Sequence, residues 1–392
     1  MTERVAITVD DHLTNTIRDF LDQHQPATPC LVIDLDVVAA RFAELRAAWP
    51  DARICYAVKA NPAPEVLRLL AGLGAEFDVA GPAEIAACLA EGADPATLSY
   101  GNTIKKARDI AYAHAMGVRR FTTDSHEDLR AIAAHAPGAQ VCCRILVLPR
   151  SSSATPFGRK FGCEPAMALD ILREAPRIGL RAAGVAFHVG SQQTDPDAWT
   201  EGIAVAARIS AALGLTEVNL GGGFPVAYRA DVPGPAEFAA TIQDTLREHF
   251  PAMPRVVLEP GRAIVADAGV LRSEVVLVSR KSGLDAHRWV YVDVGRYGGL
   301  AETEGEAITY RLVTAHDGGP EGPVVVAGPT CDGDDVIYQH SDYRLPLALR
   351  AGDYVDFLAA GAYTASYSSI AFNGFPPLAT FCVSSTGEEV GG

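Results

Sequence analysis

Chemically reactive and glycine-rich residues recur at the ends of short apolar segments in this sequence. Lys59 closes TyrAlaValLys, His188 closes AlaPheHis and Glu259 closes ValLeuGlu. A lysine at the end of a buried strand is desolvated, which favours its neutral amine and Schiff-base chemistry. A lone lysine could equally be a flexible side chain that reaches solvent from a strand end. The residues at the other segment ends therefore decide between these interpretations.

Those other residues suit a phosphorylated aromatic cofactor. Gly221–Gly223 would expose backbone N–H groups without obstruction by a Cβ atom, and ProGlyArg (260–262) adds a second small turn with a cation. Both features suit a phosphate group. Glu259 could pair with a protonated ring nitrogen and His188 could lie flat on the ring, although each alone could be a buried structural residue. Together with a Schiff-base lysine, this set predicts pyridoxal 5'-phosphate (PLP).

Alternating strands and helices are predicted for the part of the chain that carries these residues. From about residue 31 to 275, β-branched segments alternate with amphipathic ones, which is typical of a parallel sheet. A first strand and helix are followed by eight such units, and eight units predict a closed (β/α)8 barrel with catalytic groups at the C-terminal strand ends. An open doubly wound sheet is the alternative. The eight predicted strands are 54–58, 76–79, 98–100, 120–123, 141–147, 184–189, 218–220 and 256–259.

After about residue 275 the pattern changes to strands separated by glycine-rich turns, and helical periodicity nearly vanishes. We therefore predict the α/β fold class, with a PLP-binding barrel over residues 31–275 and a second, mostly β domain over 276–392. The predicted strands of the second domain are 273–278, 289–294, 322–328 and 353–358.

The composition indicates a globular protein that binds neither nucleic acid nor a membrane. The 392 residues include 33 Lys or Arg and 48 Asp or Glu, so the formal net charge is −15. An acidic chain disfavours polyanionic surfaces and favours a cationic substrate. No apolar run approaches a membrane-spanning helix and no secretory segment is present, so we expect a cytoplasmic protein. The eight cysteines form no CxxC pair or His/Cys cluster, so we expect reduced core residues and no metal site.

Taken in order, the motifs resemble the fold-type III PLP-dependent decarboxylases of basic amino acids, most of all the bacterial ornithine and ornithine/lysine decarboxylases. The resemblance covers about residues 30–382 and implies an alanine-racemase-like barrel whose β domain is completed by residues 1–30. The motifs that carry it are TyrAlaValLysAlaAsn, PheAspValAla, SerTyrGlyAsnThrIleLysLys, LysPheGly, PheHisValGlySerGln, GlyGlyGlyPhePro, GluProGlyArg, AspValGlyArgTyrGlyGly, GlyProThrCysAspGlyAspAsp, GlyAlaTyrThr and PheAsnGlyPhe.

The resemblance implies a role for each matched residue. Lys59 would hold PLP covalently, Glu259 would pair with the pyridinium nitrogen and His188 would stack on the ring. The residues implied to bind the phosphate are Ser191, Gly223, Gly261, Arg262 and Tyr363. Those implied to support the lysine and the ring are Asp78, Glu84 and Arg144. Those implied to bind substrate are Asp332, Asp335 and Phe372.

The resemblance also implies a reaction and an assembly. L-Ornithine would lose its carboxylate as carbon dioxide to give putrescine, or L-lysine would give cadaverine, and Cys331 would return a proton to Cα. Asp332 would bind the distal ammonium of the substrate. Cys331 and Asp332 would reach across a homodimer interface into the partner's site, so that each dimer has two shared active sites.

Three other functions could use the same fold. A diaminopimelate decarboxylase would have to bind a distal carboxylate, which Asp332 would repel. An enzyme of the alanine racemase type would pair the ring nitrogen with arginine, and Glu259 argues against that. A regulatory pseudoenzyme would lack the lysine or the phosphate ligands, and none of these is missing here.

Three features depart from the resemblance. Gly81–Pro82 follows PheAspValAla where relatives often have serine, which affects the start of the next helix. The Ser-rich segment 148–159 is expected to be mobile. A second substrate-binding acid is not identifiable among Glu302, Glu304 and Glu306. A modified diamino acid from a specialised pathway therefore stays an alternative substrate.

Overall fold

The computed structural model describes residues 13–147, 152–155 and 158–386. These residues form two compact units. The barrel unit comprises residues 39–225 and 233–263. The β unit comprises the described residues up to 38, residues 226–232 and the described residues from 264 onward. Among the helices in these ranges, none is long and apolar enough to cross a membrane.

Eight parallel strands close into a ring in the barrel unit, which confirms the predicted barrel and excludes the open sheet. The eighth strand pairs with the first through Val257 and Leu258. The strand centres are apolar because side chains fill the barrel and helices cover its outside. The strands, first to eighth, are Arg53–Ala57, Glu76–Val79, Leu98–Tyr100, Arg120–Thr123, Gln140–Arg144, Arg181–Ala186, Glu217–Asn219 and Arg255–Leu258.

Helices precede and connect these strands, and local sequence signals set where several of them begin. Ser125 caps the helix after the fourth strand by accepting a hydrogen bond from Asp128 N–H. Four others carry proline in their first turn, where its missing N–H has no partner in any case. The helices are Leu35–Ala48, Pro64–Gly72, Pro82–Ala90, Ala107–Ala115, His126–His135, Pro165–Glu174, Thr200–Leu213 and Pro235–His249.

A nine-stranded sheet forms the β unit, in agreement with the predicted mostly β domain. Its first strand, Cys30–Asp34, pairs antiparallel with Gly269–Ser279 and parallel with Ala379–Val383. The N-terminal helix Asn15–His24 packs against this part of the sheet through a cluster that includes Ile17. The remaining strands are Arg288–Val292, Leu312–Thr314, Glu321–Ala327, Val336–Tyr338, Arg344–Pro346 and Tyr354–Phe357.

A short strand pair and a single helical turn lie near the ends of barrel strands. Ser153–Thr155 and Ser191–Gln193 form an antiparallel pair. Part of the Ser-rich segment expected to be mobile is thus paired with another strand. Its residues 148–151 and 156–157 lie outside the described ones. A single helical turn, Arg262–Val265, follows the last barrel strand.

Candidate active site

Lys59 and Asp78 lie together at the C-terminal ends of the first and second barrel strands. Lys59 is in a single turn, Val58–Ala60, and its Nζ donates a hydrogen bond of 3.4 Å to Asp78 Oδ2. The Asp78 side chain is 8% exposed, whereas that of Lys59 is 50% exposed. Contrary to the expectation from the sequence, the Lys59 side chain is not removed from solvent. The amine is therefore accessible to a ligand.

Close backbone packing holds Asp78 in place. Gly101, just beyond the third strand, lies so near that a Cβ atom there would come 2.0 Å from Asp78 Oδ1. Glu84, in the first turn of Pro82–Ala90, accepts a hydrogen bond of 2.6 Å from Ala80 N–H. Burial raises the pKa of Glu84, and the charge of Asp78 raises it further. The Gly-Pro departure thus leaves Glu84 near Asp78.

His188, two residues beyond the sixth strand, is held as a neutral ring. Gly190 N–H donates a hydrogen bond of 3.0 Å to His188 Nδ1. Burial lowers the pKa of His188 well below its ordinary value, and the charges of Arg144 and Lys59 lower it further. Because Nδ1 accepts a hydrogen bond, the neutral ring carries its proton on Nε2. His188 can therefore offer an uncharged face to an aromatic ligand.

Glu259 follows the eighth strand, and a side chain of the seventh strand holds it by a hydrogen bond. Asn219 Nδ2 donates a hydrogen bond of 2.5 Å to Glu259 Oε1. Burial and the charge of Asp78 raise the pKa of Glu259 to about 7, although the hydrogen bond from Asn219 and the charge of Lys59 act to lower it. The carboxyl group thus titrates near neutrality, so a cationic partner would favour its ionised form.

The glycine triplet is required by close contacts with neighbouring loops. A Cβ atom on Gly221 or Gly222 would come 2.4 Å from a carbonyl oxygen, and one on Gly223 would come 2.3 Å from another. Gly221 and Gly223 also have left-handed backbone, with φ of +68° and +98°. The triplet therefore packs the loop after the seventh strand tightly against its neighbours.

Two of the residues predicted to bind phosphate share a hydrogen bond, and the short strand that begins at one of them is bonded to a third. Arg262 is 3% exposed, and its Nη2 donates a hydrogen bond of 3.1 Å to Ser191 Oγ. Ser191 begins the strand Ser191–Gln193, and Gln193 N–H donates a bond of 2.8 Å to Gly223 O. Gly261 is adjacent to Arg262 in the chain. A cation, a hydroxyl and a glycine turn thus occupy one corner of the barrel.

Arg144 ends the fifth strand and brings a positive charge among the acids. Its guanidinium carbon lies 5.0 Å from the centroid of the Phe161 ring. The turn next to Phe161 is fixed by Asp124, whose Oδ2 accepts a hydrogen bond of 2.8 Å from Gly162 N–H. Burial lowers the pKa of Arg144, while the charge of Glu259 opposes the shift.

The β unit carries the predicted proton donor on its surface. Cys331 and Asp332 are exposed, and Cys331 N–H donates a hydrogen bond of 3.0 Å to Asn373 Oδ1. Removal from solvent raises the pKa of Tyr297, and the charge of Asp332 and its hydrogen bond with Tyr297 raise it further. The Phe372 ring lies 4.7 Å from the Tyr297 ring, measured between centroids. We call residues 330–335 the Cys331 turn.

Asp335 differs from Asp332 because its carboxylate is engaged within the Cys331 turn. Asp335 is 2% exposed and accepts hydrogen bonds from Thr330 N–H, Thr330 Oγ and Arg296 N–H. A Cβ atom on Gly295 would come 2.1 Å from its Oδ1, so the backbone packs directly against it. Asp335 therefore shapes the turn, and its contact with substrate stays a prediction.

The three glutamates that the sequence could not place have different surroundings. Glu306 Oε1 accepts a hydrogen bond of 2.6 Å from Gln339 N–H and another from the next N–H. Glu304 Oε1 lies 3.3 Å from Arg296 Nη2, and Glu302 is partly buried. Glu306 therefore supports the backbone of the β unit.

Tyr363 belongs to the β unit, with its ring centroid 5.7 Å from that of Tyr367, and its contact with phosphate stays a prediction. Within the described ranges, no group of three or more His, Cys, Asp or Glu side chains is placed to hold a metal ion. Sequence reasoning missed Asn219, Asp124 and Tyr297. Asn219 ends the seventh strand just before the glycine triplet, Asp124 directly follows the fourth strand, and Tyr297 lies two residues after a glycine of a recognised motif. These positions are the signal that could have identified them.

Comparison with known proteins gives a family match over the barrel and relatives that cover both units. Residues 35–266 match the family model described as "Pyridoxal-dependent decarboxylase, pyridoxal binding domain". The lysine/ornithine decarboxylase of Selenomonas ruminantium is 36% identical over 356 residues, covering 89% of this chain and 88% of that protein. The diaminopimelate decarboxylase of Actinosynnema pretiosum subsp. auranticum is 32% identical, and the match covers 90% of this chain and 85% of that protein.

A solved structure extends the likeness to three dimensions. The lysine/ornithine decarboxylase from Vibrio vulnificus, complexed with cadaverine, is 32% identical with a TM-score of 0.83. The match covers 93% of this chain and 97% of that chain.

Proposed function

We propose, because the chain belongs to the pyridoxal-dependent decarboxylases, that it converts L-ornithine to putrescine. Its cofactor is PLP, and its reaction is the decarboxylation of a basic amino acid. L-Lysine, which would give cadaverine, is the second proposed substrate. The observation that carries the choice of substrate is the exposed Asp332 carboxylate directly after the exposed Cys331 thiol.

The residues at the barrel strand ends fit PLP. Lys59 offers an accessible amine, and Glu259 has a pKa of about 7 that allows it to ionise beside a cationic ring nitrogen. The Arg262–Ser191 pair offers a cation and a hydroxyl for a phosphate. When bound, PLP accepts the electron pair left at Cα as carbon dioxide departs.

Each of the barrel residues is proposed to position one group of the cofactor or to balance its charge. Asp78, within hydrogen-bond distance of Lys59 Nζ, holds that amine at the strand end. Glu259 would keep the proton on the ring nitrogen, while His188, neutral and partly buried, would bound one face of the ring. Arg262 would balance the charge of the phosphate. These groups lie at or just beyond the ends of the first, second, sixth and eighth strands, so barrel closure assembles them.

Asp332 is the group proposed to select a distal ammonium. Its carboxylate is exposed, unlike that of Asp335. A net charge of −15 favours the approach of a cationic substrate. A distal carboxylate, as in diaminopimelate, would meet repulsion from Asp332. The Cys331 thiol would deliver the proton that replaces the lost carboxylate at Cα.

A second copy of the chain is proposed to cover the Cys331 turn. Three large apolar side chains of a nearby segment are also exposed: Ile370 by 83%, Phe372 by 38% and Phe375 by 39%. Exposed apolar groups next to reactive ones are typical of an interface. A homodimer in which each Cys331 turn enters the partner's site would bury both kinds of group.

Release of carbon dioxide tests the substrate directly. The purified chain with PLP is supplied separately with L-ornithine, L-lysine, L-arginine and diaminopimelate. We expect the highest kcat/KM on L-ornithine, with L-lysine next. Highest activity on diaminopimelate would contradict the role of Asp332. It would favour the diaminopimelate decarboxylase alternative, which the 32% identical relative supports.

A further inference from the structure

Asn219 makes two hydrogen bonds that join two parts of the barrel site. It ends the seventh strand and is 4% exposed. Its Oδ1 accepts a hydrogen bond of 2.9 Å from Gly221 N–H, and its Nδ2 donates one of 2.5 Å to Glu259 Oε1. Because the Gly221 N–H can only donate, the amide oxygen must face it. The NH2 group must therefore face Glu259.

The loops after the seventh and eighth strands are also tied through their backbones. Glu259 N–H donates a hydrogen bond of 2.8 Å to Gly221 O. A Cβ atom on Gly222 would come 2.4 Å from Glu259 O, so the two loops touch without an intervening side chain. Asn219, Gly221 and Glu259 thus form a closed set of contacts, and a shift of one displaces the others.

An amide suits this position because burial and the Asp78 carboxylate oppose the ionisation of Glu259, whereas the charges of Lys59 and Arg144 favour it. Burial and the charge of Asp78 raise the pKa of Glu259 to about 7, and the hydrogen bond from Asn219 acts against them. A neutral donor stabilises the charged carboxylate without adding charge. An aspartate of the same shape could still accept from Gly221. It would, however, present a second carboxylate to Glu259, and the two would share one proton.

We propose that Asn219 is a positioning residue that keeps the Glu259 carboxylate ionised and aligned with the Gly221–Gly223 turn. One side chain then sets both the acceptor for the ring nitrogen and the turn assigned to the phosphate. The proposal rests on PLP as the cofactor and is independent of which amino acid is the substrate.

Binding of PLP to the cofactor-free full-length chain, followed by absorbance between about pH 5 and 9, tests this without turnover. Wild-type affinity falls as the pH is lowered through the pKa of Glu259, because a neutral carboxyl group no longer stabilises a protonated ring nitrogen. In Asn219→Asp the midpoint moves up by roughly one pH unit or more, because a second carboxylate opposes ionisation of Glu259. Asn219→Ala removes the donor without adding charge and shifts the midpoint the same way by less.

The matched control is Gln140→Glu, the same amide-to-acid change at the N-terminal end of the fifth strand, where Gln140 Oε1 accepts a hydrogen bond from Arg120. Its midpoint should equal that of wild type. A midpoint within about 0.2 pH unit of wild type in both Asn219 variants would overturn the proposal. Failure of the wild-type chain to bind PLP would instead overturn the function proposed above, together with this role of Asn219.

Discussion

Glu259 and His188 at the strand ends of the barrel are partly buried, whereas the reactive groups of the Cys331 turn in the β unit are exposed. Lys59, with a side chain that is 50% exposed, lies between these two cases. In the barrel, burial raises the pKa of Glu259 to about 7 and lowers that of His188. In the turn, Cys331 and Asp332 are exposed to solvent. Fixed charges act strongly only where water is excluded. The barrel groups are thus held in place before a ligand binds, whereas Asp332 would need a cover from solvent before its charge could discriminate between substrates.

The largest effect is expected from a substitution at the strand ends of the barrel. Lys59→Ala should lower kcat by roughly 10³-fold or more, because the amine that holds the cofactor and exchanges with substrate is lost. Carbon dioxide release and the absorbance of bound PLP measure this. Lys106→Ala, at an exposed lysine of the same unit, is the control. Near-normal turnover of Lys59→Ala without added amine would refute the assignment.

A smaller but diagnostic effect is expected on the side of the turn. Asp332→Asn keeps the shape but removes the charge, and should lower kcat/KM on L-ornithine by about 10²-fold if the turn is covered during catalysis. An exposed ion pair is worth little, so an uncovered turn predicts a loss of only a few-fold. PLP affinity should not change in either case.

Asp334→Asn is the matched control for Asp332, because Asp334 is an exposed neighbour in the same turn. It should retain nearly the wild-type kcat/KM. Equal losses in the two variants would show that general acidity of the surface, and not a specific contact of Asp332, attracts the substrate.

A third effect concerns the stability of the cofactor-free chain. The folded-state pKa of Glu259, about 7, lies above its ordinary value of 4.5. The stability linked to this group is therefore fully present below about pH 4.5 and is lost as the pH rises through 7. Glu259→Gln should gain on the order of 3 kcal/mol relative to wild type between pH 4.5 and 8. Urea unfolding measures this, with the exposed Glu164→Gln as control. Parallel pH dependences of wild type and Glu259→Gln would contradict the raised pKa.

Much of the fold could be predicted because its signals are local. Each barrel strand is a short apolar segment bounded by turn residues, and all eight predicted strands overlap the observed ones. The rest of the site depends on which strands become neighbours. Asn219 and Glu259 are 40 positions apart, so their contact exists only because the seventh and eighth strands are adjacent.

Burial was the other property that the sequence could not supply. Lys59 lies just beyond a buried strand, yet its side chain is 50% exposed. Asp332 and Asp335 are close in one acidic motif, yet one is exposed and the other is surrounded by backbone donors. Composition and spacing treat such residues alike, and only the path of the backbone separates them.

Mixing two inactive variants tests most directly whether the barrel of one subunit and the Cys331 turn of another act in one site. Lys59→Ala and Cys331→Ala chains are combined in equal amounts under conditions in which subunit exchange is verified. A random pool contains half hybrid dimers, each with one intact site, so roughly one quarter of wild-type activity should return. No recovery despite exchange would show that Cys331 does not serve the partner's barrel, and would contradict the shared site.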